Sequence, residues 1–309
     1  MNYKENVMKC LGYFPNKVEL GPKVVEQTDY GTHVLQSVSY NVEQDERINA
    51  YLLLPKNLKD KNPAVIASHQ HAGEYYLGKS EPAGLSQNSM YHYGLDLCLR
   101  GYVVLCPDHL GFEDRRPPEY KRIENKHLDG ENYERLLFCK YILNGSSLQA
   151  KYLSDLTRGV DFLQSLKFVD AERIGAIGHS LGGQETLWLT WYDARIKAAV
   201  SSCGFSQIRN IIRDGINHNF AMFSPGFLNC GDISSLVCDF APRPFLMTNG
   251  NEDGIFPLDG VNEIAEAARK AYKEKGSADH FKSIVFKGGH SFPKDVKEQA
   301  YHWLDTFLK

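Results

Sequence analysis

Apolar positions along this chain fall into two alternating rhythms. Short runs with β-branched or aromatic content occur at Ala64 to Ser68, Tyr102 to Cys106, Arg173 to Ile177, Ile196 to Ser201, Pro244 to Thr248 and Lys282 to Phe286. Their length and continuity predict strands buried on both faces. Between them, apolar residues recur at helical spacing over Met90 to Leu99, Leu148 to Leu166, Gln184 to Tyr192, Val261 to Lys273 and Val296 to Leu308. In the last segment Val296, Ala300, Trp303 and Phe307 make one stripe, which reads as core packing. Upstream, His33 to Val42 and Arg47 to Leu54 flank the polar turn Glu43-Gln44-Asp45-Glu46 and predict an antiparallel entry to the sheet.

Strands alternating with helices predict an α/β fold with a mainly parallel sheet. The chain, 1–309, reads as one domain, with residues 1–32 as an N-terminal extension. Two stretches break the alternation, 112–147 and 206–241. Both are too long for ordinary connections, which predicts lid or pocket-wall insertions.

Composition narrows the possible partners. Apolar residues at 42% and charged residues at 24% are enough for a substantial core. A net charge of -3 supplies no broad basic field, so neither nucleic acid nor an anionic membrane is an expected partner. The first ten residues lack the apolar core of a signal peptide, and no run approaches a membrane span. Seven cysteines, an odd number with no CxxC pair, argue against a disulfide framework or a zinc ribbon, and a reducing cytoplasm is expected.

The chemistry concentrates in Gly178-His179-Ser180-Leu181-Gly182, directly after one predicted strand and before a helix. This is the context of a nucleophile elbow, where glycines permit the tight turn and strain lifts Ser180 out of the backbone surface. A serine nucleophile needs a histidine base and an orienting acid, in the order Ser, acid, His for this arrangement. His290 follows the last predicted strand through Gly288-Gly289, whereas His280 precedes that strand and His302 lies within the final helix. The expected acid is Asp253, in the turn after the strand Pro244 to Thr248, with Glu252 as its competitor.

Oxyanion stabilisation calls for the backbone N–H of Leu181 and a second donor from the loop His69-Gln70-His71-Ala72-Gly73. His71 is the expected donor and Gln70 the alternative. His69, His71 and Glu74 offer no evident fourth ligand, so no metal is expected, and His69 is expected to pack beneath the loop. Tyr75, Tyr76, Phe220, Met222, Phe223 and Phe227 are candidate pocket residues.

His69-Gln70 with Gly78-Lys79-Ser80-Glu81-Pro82, Gly101 to Val104 leading to Pro107-Asp108, the elbow, Ala241 to Pro244, and Gly289-His290 together resemble the α/β-hydrolase superfamily. Within it, the chain is similar to the branch of dienelactone hydrolases and acetylxylan esterases. That resemblance implies a central, mostly parallel sheet of about eight strands flanked by helices, and no organic cofactor. Dienelactone hydrolases carry a cysteine nucleophile, so Ser180 shifts the expectation to carboxylic esters of small molecules, an acetyl ester among them. The frequent His-Gly motif is His69-Gln70 here. Amidase, peptidase, thioesterase or carbon–carbon hydrolase chemistry, and a ligand receptor on the same fold, are the alternatives.

Overall fold

A computed structural model describes residues 2–116, 128 and 130–309. Residues 117–127 and 129 of the first long excursion lie outside the described residues. The apolar runs become strands β2 (His33–Glu43), β3 (Glu46–Pro55), β4 (Asn62–Ser68), β5 (Val103–Pro107), β6 (Val169–His179), β7 (Ile196–Ser202), β8 (Phe245–Gly250) and β9 (Phe281–Phe286). A further strand, β1 (Lys23–Asp29), falls within the stretch read as an N-terminal extension and raises the sheet to nine. Every residue of β1 is exposed, so no buried stripe marks it in the sequence.

The sheet runs β1-β2-β3-β5-β4-β6-β7-β8-β9. It is antiparallel through the first three pairings and parallel from β5 onward. Parallel neighbours require crossovers, and those helices cover both faces. On one face lie α4 (Leu148–Ser165), α5 (Leu181–Tyr192), α7 (Ile233–Phe240) and α8 (Leu258–Glu274), whose apolar sides join one core with Tyr40, Ile66 and Ile174. On the other, α2 (Tyr93–Leu99) and α9 (Lys294–Leu308) enclose a second core around Val65, Val104 and Ile177. In the terminal stripe Val296 and Ala300 are buried, while Trp303 and Phe307 are half-buried against the same cluster. The remaining helices, α1 (Tyr3–Leu11), α3 (Glu131–Leu143) and α6 (Ile208–Arg213), lie in the extension and the two excursions.

Register decides where the loops emerge. Ser68 pairs with Gly178, His179 with Ser202, and Gly250 with Phe286, so the carboxyl ends of five parallel strands fall along one edge. Loops from those ends therefore share a crevice, the usual place for a site in a parallel sheet. Among the described residues no helix is long and apolar enough to cross a membrane.

Candidate active site

Ser180 sits between β6 and α5 at φ 56° and ψ −121°, a left-handed conformation that a residue with a side chain rarely adopts. Packing holds it there. An added Cβ on Gly178 would lie 2.2 Å from the Gly182 carbonyl oxygen, and one on Gly182 would lie 2.0 Å from that of Ser68. The turn can close only if both positions are bare, and the Ser180 N–H is then fixed by donating to Ser202 O at 2.9 Å.

After β8 the chain turns through Asn251 and delivers the fully buried Asp253 carboxylate to His290, which arrives after β9. His290 Nδ1 and Asp253 Oδ2 are 2.8 Å apart, and Oδ1 accepts the Ile255 N–H at 3.1 Å. Glu252 is exposed and contributes its backbone N–H to Gly288 O. An Nδ1–H donated to an ionised carboxylate leaves Nε2 with a lone pair, the tautomer a general base needs; the proton is assigned from this network. Beneath the pair lies the Cys203 thiol, pushed up to about 12 by burial and by the charge of Asp253. Ser180 and His290 line one cavity. Among the described residues the serine hydroxyl makes no hydrogen bond to the ring, a contact that commonly tightens only when substrate is bound.

The loop after β4 is held from below. His69 Nδ1–H donates to Gln70 O at 2.7 Å, and Nε2 accepts the His109 N–H at 3.1 Å, so both ring nitrogens are occupied. Burial pushes His69 down to about 4, which keeps it neutral. Gln70 Nε2 donates to Glu81 Oε1 at 2.7 Å, and the Gln70 backbone amide also faces that carboxyl, which burial pushes up to about 7. His71 is left facing the cavity, followed by Ala72 at φ 48° and Gly73 at φ 71°. Further along, the buried Lys79 ammonium lies 2.7 to 2.8 Å from Asp108, Glu113 and Asp114, pinning the segment after this loop to the end of β5. The three carboxylates are close enough together to suggest an ion, but the Lys79 ammonium already occupies their focus.

The cavity measures about 630 Å³ and is walled by His71, Tyr75 and Tyr76 from the β4 loop, Glu131 and Glu134 from α3, and residues 217–220 from the second excursion. A second cavity of about 710 Å³ shares His290, Ala72 and Tyr76 and has Gln70, Glu81 and Tyr91 along its wall. Phe220 lines the first cavity, but Met222, Phe223 and Phe227 do not. Met222 and Phe227 are buried in the main core, where Phe227 packs on Trp188, and Phe223 packs partly buried against that core. The pocket expectation is therefore corrected for these three: aromatic and apolar character in the excursion serves its anchoring as well as its exposed rim.

Two wall residues carry no signal that singles them out in the sequence. Glu134 lies in the stretch read as a lid or pocket wall, where nothing marks it out from the other acids, and it is 2% exposed. His218 donates from Nε2 to Ile255 O at 2.8 Å, burial lowers its pKa, and its ring lies against Phe256, which packs on His290. Sequence order alone gives it no strand end to stand on.

Comparison with known proteins places the chain by family and fold. A profile described as Acetyl xylan esterase (AXE1) matches residues 13–213, and one described as the Prolyl oligopeptidase family matches 146–309. YtaP of Bacillus subtilis (strain 168), named provisionally as a hydrolase, is 27% identical over 312 residues, covering 99% of this chain and 98% of its own. A Bacteroides fragilis NCTC 9343 protein, described provisionally as an acetyl xylan esterase, superposes with a TM-score of 0.75 at 16% identity, covering 99% of this chain and 84% of its own. The glucuronoyl esterase from Solibacter usitatus gives 0.72 at 16% identity, covering 98% and 91%. At such identity the two structures speak for the fold.

Proposed function

The chain belongs to the acetyl xylan esterase (AXE1) and prolyl oligopeptidase families of α/β-hydrolases, and we propose that it cleaves a carboxylic ester of a small molecule through an acyl-enzyme on Ser180. The observation that carries this reading is the 2.8 Å contact of Asp253 with His290 at the rim of the cavity that also exposes Ser180. His290 Nε2 takes the serine proton as Oγ attacks the ester carbonyl. Asp253 holds the ring and stabilises the imidazolium. The amides of Leu181 and His71 receive the negative oxygen, and His290 then protonates the departing alcohol. Water, deprotonated by the same ring, releases the acid and frees the serine.

Both profiles cover the elbow, and esters are preferred over peptides because only the acetyl xylan esterase profile also covers the β4 loop and the first excursion up to residue 145. In this reading the chain is a single hydrolase domain, in which Glu131 and Glu134 of the first excursion and residues 217–220 of the second are pocket wall. All seven cysteines are free thiols, which suits a reducing cytoplasm. A panel of acetyl, longer acyl, lactone, thioester and amide substrates tests the assignment. Acetyl or other short-chain esters should give the highest kcat/KM, and faster turnover of amides than of matched esters would overturn it.

A further inference from the structure

Three segments distant in sequence meet on one buried carboxylate. Glu134, in the first turn of α3, is 2% exposed. Its Oε2 accepts from His71 Nε2 at 2.8 Å and from the Tyr75 hydroxyl at 2.7 Å, and its Oε1 accepts the Phe220 N–H at 2.9 Å. Burying a carboxylate is costly unless its oxygens are well supplied with donors, and here each oxygen has at least one.

The arrangement dictates the state of His71. The Gly73 N–H donates to His71 Nδ1 at 3.0 Å, so Nδ1 carries no proton and the ring proton must sit on Nε2, facing Glu134. The imidazole is thus a strut with its own loop at one end and the excursion helix at the other. Phe112 and Tyr75 hold it edge-on, with centroids 5.1 and 4.9 Å away. Between its two anchor points in the loop lies Ala72 at φ 48°, a conformation that an alanine keeps only when its surroundings impose it.

We propose that Glu134 is a positioning residue of the reaction, which acts through the His71 ring to hold the backbone N–H of His71 where the oxyanion develops. This rests on the acyl-enzyme reading and on His71 as the second amide donor. Glu134→Gln separates the role from simple bulk, because it keeps the shape of the side chain but only one of its two acceptor oxygens. An amide offers one oxygen and one NH₂, so an N–H must face either Phe220 or the His71 and Tyr75 pair. Restoring a bond to His71 from that NH₂ requires the other imidazole tautomer, whose Nδ1–H would point at the Gly73 N–H. With the NH₂ toward the pair the bond to His71 is lost; with it toward Phe220 that bond survives but the Phe220 N–H is repelled, so the brace is slackened at one end or the other.

The test compares Glu134→Gln, His71→Ala and the double variant on p-nitrophenyl acetate, with Ser180→Ala as baseline. Misplacing one oxyanion donor should lower kcat by about 10- to 100-fold. KM should stay within about threefold, because the amide matters most when charge develops. The double variant should be no slower than His71→Ala alone, since both changes remove the same strut. A kcat within about threefold of wild type for Glu134→Gln, or losses that multiply in the double variant, would overturn the proposal. Should Glu134→Gln fail to fold, His71→Ala alone must show the kcat loss with KM held, and a normal kcat there would overturn it equally. Activity persisting in Ser180→Ala would instead defeat the acyl-enzyme reading beneath it.

Discussion

His290 Nδ1 lies 2.8 Å from Asp253 Oδ2, joining the turn after β8 to the loop after β9 across 37 residues of sequence. The carboxylate is fully buried in that contact, whereas neighbouring Glu252 points into solvent. Asp253→Asn keeps the size but leaves the imidazole in the wrong tautomer, so kcat for p-nitrophenyl acetate should fall by about 10⁴. Glu252→Gln should leave it within about twofold. Steady-state kinetics on the two purified variants decide between the neighbours.

Phe220 and Met222 are two residues apart and face different environments. Phe220 lines the cavity, and Met222 is 4% exposed in the main core. Phe220→Ala should widen the acyl preference, raising kcat/KM for butyryl relative to acetyl esters. Met222→Ala should cost about 2 to 5 kcal/mol of stability, read by urea unfolding, with the acyl preference unchanged. The opposite pattern would place the pocket wall elsewhere.

Glu185, on α5 just beyond the elbow, is surrounded by amides. Gln149 Nε2 reaches its oxygens at 3.0 and 2.8 Å, and Gln184 Nε2 reaches Oε1 at 3.3 Å. Burial pushes its carboxyl from an ordinary 4.5 up to about 8. Between those values the folded protein keeps a proton that the unfolded chain has lost, so stability from this group is full below the lower value and declines as pH rises toward the upper. One such proton gives a slope of at most about 1.4 kcal/mol per pH unit. Glu185→Gln removes it. Unfolding free energies between pH 4.5 and 8 should fall less steeply in the variant, and an unchanged slope would contradict a protonated Glu185.

Much of the scaffold was legible because burial leaves a pattern. The central strands β4 to β8 are apolar on both faces, and the runs at Ala64, Tyr102, Arg173, Ile196 and Pro244 mark them to within a few residues. β1 escaped because solvent covers both its faces, and α3 because its apolar residues point several ways: Leu137 is buried while Leu143 is 86% exposed. At the candidate site, strand ends and glycines were enough to propose Ser180 and His290. Asp253 could not be separated from Glu252, because one turn holds both and only burial distinguishes them. Glu134 was invisible for a deeper reason: nothing separates it from the neighbouring acids until the fold assembles the three donors around it.

The central claim is that Ser180 is the nucleophile, and the most direct measurement is kcat/KM of Ser180→Ala beside wild type on p-nitrophenyl acetate, with circular dichroism confirming that both are folded. The account predicts a fall of about 10⁴- to 10⁶-fold. A folded Ser180→Ala variant that retains activity within about tenfold of wild type would contradict it.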